Sequence, residues 1–519
     1  MSHRKKLPIG IQTFAKIRED DCYYIDKTPH ILRLIAEGSH YFLSRPRRFG
    51  KSLLLDTMAE LFEGHRALFD GLHADGNWDW SRTYPVIRIS FSDGVLHGLT
   101  ALQHRIRLLL ADNYARLGLD LPEDQDIPGL FAKLLQSAHA QGGERVVVLI
   151  DEYDKPILDN ITDGPTARAM RDGLRDLYSV IKGQDAHIKF ALLTGVSKFS
   201  KVSLFSGLNN LTDITVDAGY SALCGYTDED VDTVFAPELP GLDRDEIRRW
   251  YNGYNWTGTS VYNPFDLLLL FRNREFRPYW FETGTPTFLV DLLTQRDTFT
   301  PELGQWVTMD SLLSTFDVDE ICSEALLFQS GYLTIGSQFK MGARTEYTLK
   351  YPNLEVEASL NGALLQALTA RSTETARHSG RLYRLLLAND FAGLQALFSA
   401  FFASIPNDWY RSNKIAHYEG YYASVFYSHF AALGLDIRLE DVTNKGRIDM
   451  SVLFNRNVYL FEFKVVELVP EGRALQQIRE RGYADKYRAR GEPIHLIGVE
   501  LSKEACSVVV FEVETLVVD

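Results

Sequence analysis

The stretch Gly446-Arg447-Ile448-Asp449, followed by Val458-Tyr459-Leu460-Phe461-Glu462-Phe463-Lys464, decides how this chain is read. It predicts a β-hairpin with an acid on one strand and an acid and a lysine on the next. Side chains alternate along a strand, so Val458, Leu460, Glu462 and Lys464 share one face, and Tyr459, Phe461 and Phe463 share the other. Met450 to Phe454 is the partner strand, and Asn455-Arg456-Asn457 supplies the turn. If a tight loop closes on Asn455-Arg456, Phe454 pairs with Asn457, and counting outward brings Asp449 opposite Glu462. Two carboxylates facing each other across a ladder repel, so a cation is expected between them. The inference depends on that turn, because a register slip of one residue sends one acid to the other face.

Acids and lysines also alternate on solvated strands, which is the bland reading of D-x12-E-x-K. The flanking Tyr, Leu, Phe and Val argue for a buried strand instead, and a buried strand carrying Glu and Lys needs a reason. The arrangement Asp449, Glu462-Phe463-Lys464 resembles the PD-(D/E)XK nuclease superfamily. The resemblance implies that Asp449 and Glu462 hold Mg²⁺, and that Lys464 positions or activates the attacking water and offsets phosphate charge. Hard oxygen ligands suit Mg²⁺, which needs only one or two carboxylates. Glu419, opening an amphipathic helix from Tyr421 to Leu433, and Glu440 are candidates for a further acid. Ala474 to Arg490 predicts one helix carrying Gln477, Arg481, Tyr483, Lys486 and Arg490, which resembles the Gln/Tyr helix of RecB-like nucleases. The alternative for that helix is an ordinary solvated basic face.

A second set of motifs lies near the start. The apolar strand Tyr41-Phe42-Leu43 runs into Ser44-Arg45-Pro46-Arg47-Arg48-Phe49-Gly50-Lys51-Ser52 and then the helical run Leu53 to Glu63. Strand, loop, Gly-Lys-Ser and helix form the setting of a phosphate-binding loop, in which backbone N–H groups cradle phosphate, Lys51 reaches the β and γ oxygens, and the Ser52 hydroxyl ligates Mg²⁺. Arg47, Arg48, Phe49 and Gly50 complete the expected nucleotide loop. Arg45 stands where the first glycine of G-x-x-x-x-G-K-[ST] belongs. The apolar run Arg145 to Ile150 ends in Asp151-Glu152, the form of a Walker B strand, with Asp151 expected on Mg²⁺ and Glu152 as the base orienting water. His187 to Leu193 predicts a neighbouring strand, whose end offers Thr194 and Ser197 as sensors of the γ-phosphate.

The wording Arg45-Pro46-Arg47-Arg48-Phe49-Gly50-Lys51-Ser52 resembles the predicted AAA-ATPase-like family found fused to a PD-(D/E)XK domain. Pro8-Ile9-Gly10, Tyr24-Ile25-Asp26-Lys27-Thr28, Leu193-Thr194-Gly195, Tyr251-Asn252-Gly253-Tyr254, Tyr262-Asn263-Pro264 and Gly446-Arg447-Ile448-Asp449 extend it over nearly the whole chain. The resemblance implies an ATPase joined to a nuclease fold, with ATP and Mg²⁺ as cofactors.

The expected fold is α/β: a P-loop domain over 1–225 with a parallel sheet covered on both faces, a helical lid or winged-helix-like region over 226–350, a helical connector over 351–405, and an α/β nuclease-like domain over 406–519. Strands are expected near 41, 86, 146, 188 and 213. The aromatic segment Trp250 to Trp256 is read as packing between lid and core, with base stacking as the alternative. The 519 residues contain no apolar run of membrane-spanning length and no signal peptide, so a cytoplasmic protein is expected. Cys22, Cys224, Cys322 and Cys506 lack metal-ligand spacing. The net charge of −14 argues against a protein that coats DNA. It leaves room for a local basic groove, for which Arg473, Arg479, Arg481, Lys486, Arg488 and Arg490 are the candidates. The function expected is ATP-controlled cleavage of nucleic acid, DNA ahead of RNA, in a monomer or homo-oligomer. The rival is an ATPase switch of signalling or defence type whose nuclease-like domain binds nucleic acid or protein without cutting.

Overall fold

The computed structural model describes residues 4–123, 125–198, 210–282, 289–290, 292–293, 296, 300–309, 313, 322–369, 372–404, 419–443, 445–466, 471–502 and 507–517. Two compact units form: Met1–Thr283 with Gln305–Asn353, and Gly284–Gly304 with Leu354–Asp519.

In the first unit, β1 (His40–Ser44), β2 (Val86–Ser90), β3 (Val146–Asp151), β4 (Ile188–Gly195) and β5 (Thr212–Asp213) make a sheet in the order β2-β3-β4-β1-β5, with parallel pairing throughout. All five strands fall where the apolar runs predict them. β1 and β3 are buried at every position, which is what a strand covered on both faces requires. Since β4 lies between β1 and β3, the strand ends bearing the lysine loop, Thr194 and Asp151 are consecutive along one edge. The helix Lys51–Phe62 begins at Gly50, whose φ of 88° is a left-handed conformation that glycine adopts without strain.

Helices Asp228–Thr233, Arg244–Tyr251 and Pro264–Asn273 share a core with Tyr23 and Ile25. A small antiparallel sheet follows, β6 (Val307–Met309), β7 (Thr334–Met341) and β8 (Arg344–Lys350), in the order β6-β8-β7.

The second unit is built on β9 (Asp436–Thr443), β10 (Gly446–Phe454), β11 (Asn457–Val466), β12 (Ile494–Ser502) and β13 (Ser507–Leu516), in the order β13-β12-β11-β10-β9. Only the β11–β12 pair is parallel. One sheet face packs Met450, Val452, Tyr459, Phe461 and Phe463 against Leu365, Leu382, Leu386, Leu394 and Phe398 from upstream helices, and against Phe426 and Phe430 of the helix Glu419–Ala431. This corrects the expected connector. The helices Leu354–Thr369, Ser372–Leu387 and Phe391–Ser404 contribute to one core with the sheet, because their apolar stripe has the sheet face to cover. The opposite face packs Val458, Leu460 and Ile448 against Leu475, Ile478, Tyr483 and Tyr487.

The segment expected as one helix from Ala474 to Arg490 is a nine-residue helix, Arg473–Arg481, followed by two 3₁₀ turns. Gly482, at φ 57°, ends the helix in a left-handed cap.

Candidate catalytic sites

The hairpin closes as its turn residues dictate. Asn455 and Arg456 lie at φ 48° and 57°, the signature of a two-residue turn with both central residues left-handed, whose twist matches that of the flanking strands. Pairing then runs from Phe454↔Asn457 to Met450↔Phe461, which puts Asp449 next, opposite Glu462. The Asp449 carboxylate accepts the Phe463 N–H at 2.7 Å. Across from Asp449 on β9, Glu440 takes φ 45°, and its exposed carboxylate lies 3.5 Å from the Arg447 guanidinium. The Glu440 carboxylate is thus exposed and paired with Arg447, whereas Glu462 is buried. Glu419 opens its helix, but its side chain lies outside the described residues.

Glu462 has no solvent exposure. Its Oε1 accepts a hydrogen bond from the Gln477 amide and lies 3.4 Å from the Lys464 ammonium. Its Oε2 is buried with no hydrogen-bond partner among the described residues. Burial first, and the Asp449 charge second, push the Glu462 carboxyl up to about 8, against the pull of Lys464. A buried carboxylate oxygen without a donor, beside a second carboxylate, costs free energy as it stands. A hard cation fits both deficits, so Asp449 and Glu462 are suited to hold Mg²⁺.

Gln477 thus reaches the acid, whereas Tyr483 is buried in the core beneath the helix. A residue that the sequence reading missed completes the arrangement. Glu500 on β12, fully buried, accepts the N–H groups of Glu471 and Arg473 at 2.7 Å each and of Ala474 at 3.4 Å. Burial opposes its charge, yet these backbone donors hold its carboxyl below the usual carboxylate range. Glu500 pairs with Lys464 in register. A lone acid inside the apolar run Ile494–Ser502 was the available signal, the same one that singled out Glu462.

The expected basic groove is largely neutralised at home. Arg473 pairs with Glu471, Arg479 with Glu514, Lys486 with Asp441, Arg488 with Asp485, and Arg490 with Glu492. Arg481 donates to the Lys445 carbonyl.

At the other site, the Ser52 hydroxyl donates to Asp151 Oδ2 at 2.5 Å and the Thr194 hydroxyl to Asp151 Oδ1 at 2.8 Å. Lys51 is buried, and its ammonium donates to the Arg45 and Pro46 carbonyls at 2.9 and 3.0 Å. Burial lowers its pKa, while Asp151 opposes the shift. Glu152 sits at φ 51°, a strained backbone costing about 1–3 kcal/mol. Burial and then Asp151 raise its carboxyl, with Lys51, Lys155 and Arg47 pulling the other way.

Two expected nucleotide contacts turn inward. Phe49 buries its ring edge-on to Tyr254 and Trp256, at centroid distances of 4.7 and 5.6 Å. Ser197 is buried, and its N–H donates to Asp154 Oδ2 at 2.5 Å. The Phe49 ring is thus committed to packing, and the Ser197 backbone to Asp154. Arg47 and Arg48 are exposed, and Arg48 lies 4.9 Å over the Phe265 ring.

Arg45, in place of the first loop glycine, is a buried strut. It donates to the carbonyls of Ser44, Thr215 and Tyr220 and stacks 4.0 Å over Trp256. Trp280 donates to the Arg47 carbonyl at 3.1 Å. The aromatic segment therefore supports the P-loop from the protein side, in agreement with the packing reading. Asp154 was also missed: it accepts the N–H groups of Val196 and Ser197, and burial pushes its carboxyl up to about 7.

Among the described residues, no helix is long and apolar enough to cross a membrane. The family model described as "Predicted AAA-ATPase" matches residues 8–205, and that of the PD-(D/E)XK nuclease superfamily matches residues 417–511. An "Uncharacterized protein in vnfD 5'region" from Azotobacter chroococcum mcd 1 is 68% identical over 514 residues, 99% of each chain. No solved structure matches. The chain belongs to the predicted AAA-ATPase-like family that carries a PD-(D/E)XK nuclease superfamily domain at its C-terminal end.

Proposed function

We propose that this protein binds and hydrolyses ATP at Lys51, Ser52, Asp151 and Glu152, and cleaves nucleic acid phosphodiester bonds at Asp449, Glu462 and Lys464 under control of the nucleotide. The observation that carries the cleavage reading is the buried, unpartnered Glu462 Oε2 beside Asp449. When Mg²⁺ is bound, it acidifies water and stabilises charge on a phosphate. Gln477 occupies Oε1 and leaves Oε2 to face the cation. Lys464, about one-third exposed, can turn its ammonium from Glu462 to a phosphate oxygen or the attacking water.

On the nucleotide side, phosphate replaces the Arg45 and Pro46 carbonyls as the partner of Lys51, and Glu152 orients water. The family assignment and the Ser52–Asp151–Thr194 cluster support this reading.

The rival reading, a switch that binds without cutting, draws support from the paired cations around the Arg473–Arg481 helix.

Mg²⁺-dependent release of label from DNA and from RNA, with and without ATP, separates the two readings. Asp449→Ala or Lys464→Ala should abolish release and spare ATP turnover, and Lys51→Ala should remove ATP binding. Release that survives in both C-terminal variants, or is absent from the wild type, overturns the cleavage reading.

A further inference from the structure

We propose that Glu500 is a positioning residue for the Asp449–Glu462 site, acting through the Arg473–Arg481 helix to set the reach of Gln477 onto Glu462. The inference rests on reading that site as cation-binding.

The helix meets the sheet at two places on β12. At its start, the Glu500 carboxylate takes the Glu471 and Arg473 N–H groups on separate oxygens, which fixes both the height and the rotation of the first turn. One register step back on the same face, a Cβ on Gly498 would lie 2.4 Å from the Leu475 nitrogen, so the helix backbone rests directly on the strand. Gln477 follows four residues after Arg473, about 6 Å along the helix axis at 1.5 Å per residue. Its amide ends on Glu462 Oε1.

β11 and β12 pair in parallel, with Glu462 opposite Gly498 and Lys464 opposite Glu500. The acid that binds the helix and the acid that faces Asp449 are therefore held on adjacent strands, in one rigid register. A tether this short leaves Gln477 little freedom to slide. It keeps one Glu462 oxygen occupied and leaves the other for a cation shared with Asp449. Holding the helix end by a carboxylate is also electrostatically favourable, because the N-terminal backbone dipoles attract negative charge.

The test is Mn²⁺ binding to the nucleotide-free full-length protein, with Asp449→Ala identifying the part of the signal that belongs to this site. Residues that orient metal ligands typically contribute about 10–100-fold in metal affinity. Glu500→Gln keeps size and one acceptor but loses the charge, and should weaken this binding about tenfold, as should Gln477→Ala. Because both act through one contact, the double variant should be no weaker than Gln477→Ala alone. Hydrogen exchange of the 473–481 amides shows whether the helix has survived. If Glu500→Gln unfolds it, Glu500→Asp, which retains the charge, replaces it in the same cycle. Wild-type affinity in the Glu500 variant, or an equal loss with and without Gln477, overturns the proposal while Asp449→Ala still removes the signal. Mn²⁺ binding indifferent to Asp449→Ala overturns the cation reading and this one with it.

Discussion

Replacing Glu462 by Gln should stabilise the Mg²⁺-free protein while destroying its cation site. In the folded chain the carboxyl titrates near 8, against an ordinary value of 4.5. Between those values the folded state holds a proton that the unfolded state has released. The group's stabilising contribution is therefore complete below about pH 4.5, and it is lost as pH rises toward 8. Near pH 7, two and a half pH units at about 1.4 kcal/mol each amount to about 3 kcal/mol that Glu462 withholds from local stability. Gln is neutral at every pH, keeps the acceptor for the Gln477 amide, and places an N–H₂ donor at the buried Oε2 position. Hydrogen exchange of the β10 and β11 amides reads this local free energy without assuming two-state unfolding of a two-unit chain. In chelator, protection should rise by up to about 3 kcal/mol near pH 7, and the gain should shrink toward pH 4.5. Mg²⁺ at a thousand times its Kd should reverse the order, since it adds about 4.1 kcal/mol to the wild type alone. Faster exchange in Glu462→Gln than in the wild type near pH 8 in chelator would refute the argument, because the acid would then be stabilising as a charge.

Arg45→Gly restores the usual first glycine of the nucleotide loop, yet it should impair the protein. It strips the Ser44, Thr215 and Tyr220 carbonyls of their donor and removes the stack on Trp256. At about 1–3 kcal/mol for each buried group left unsatisfied, thermal unfolding of the first unit should move down by several degrees, and unchanged melting would count against the strut. Gly498→Ala should displace the Arg473–Arg481 helix, because its Cβ would meet the Leu475 backbone. The expected signature is a higher Mg²⁺ requirement for cleavage at unchanged ATP turnover, and an unaltered Mg²⁺ requirement would show that the helix tolerates the shift.

Much of this protein was determined locally, and those parts were legible in the sequence. A two-residue turn at Asn455-Arg456 sets the register, and alternation then sorts Glu462 and Lys464 from Phe461 and Phe463 without reference to the rest of the chain. The apolar run before Asp151 shows a strand covered on both faces, and Gly50-Lys51-Ser52 marks the start of the helix that follows β1. Tertiary structure alone decided whatever depends on partners distant in sequence. Glu514 and Asp441 pair with Arg479 and Lys486, Glu440 lies exposed beside Arg447, and the interior claimed the Phe49 ring and buried Ser197. Glu500 belongs with these: a lone acid in a buried strand signals a function, but only the approach of a helix from another part of the chain shows which N–H groups it was there to receive. The physical reason is that backbone geometry and side-chain alternation are set by near neighbours, whereas the partner of a buried charge is set by packing.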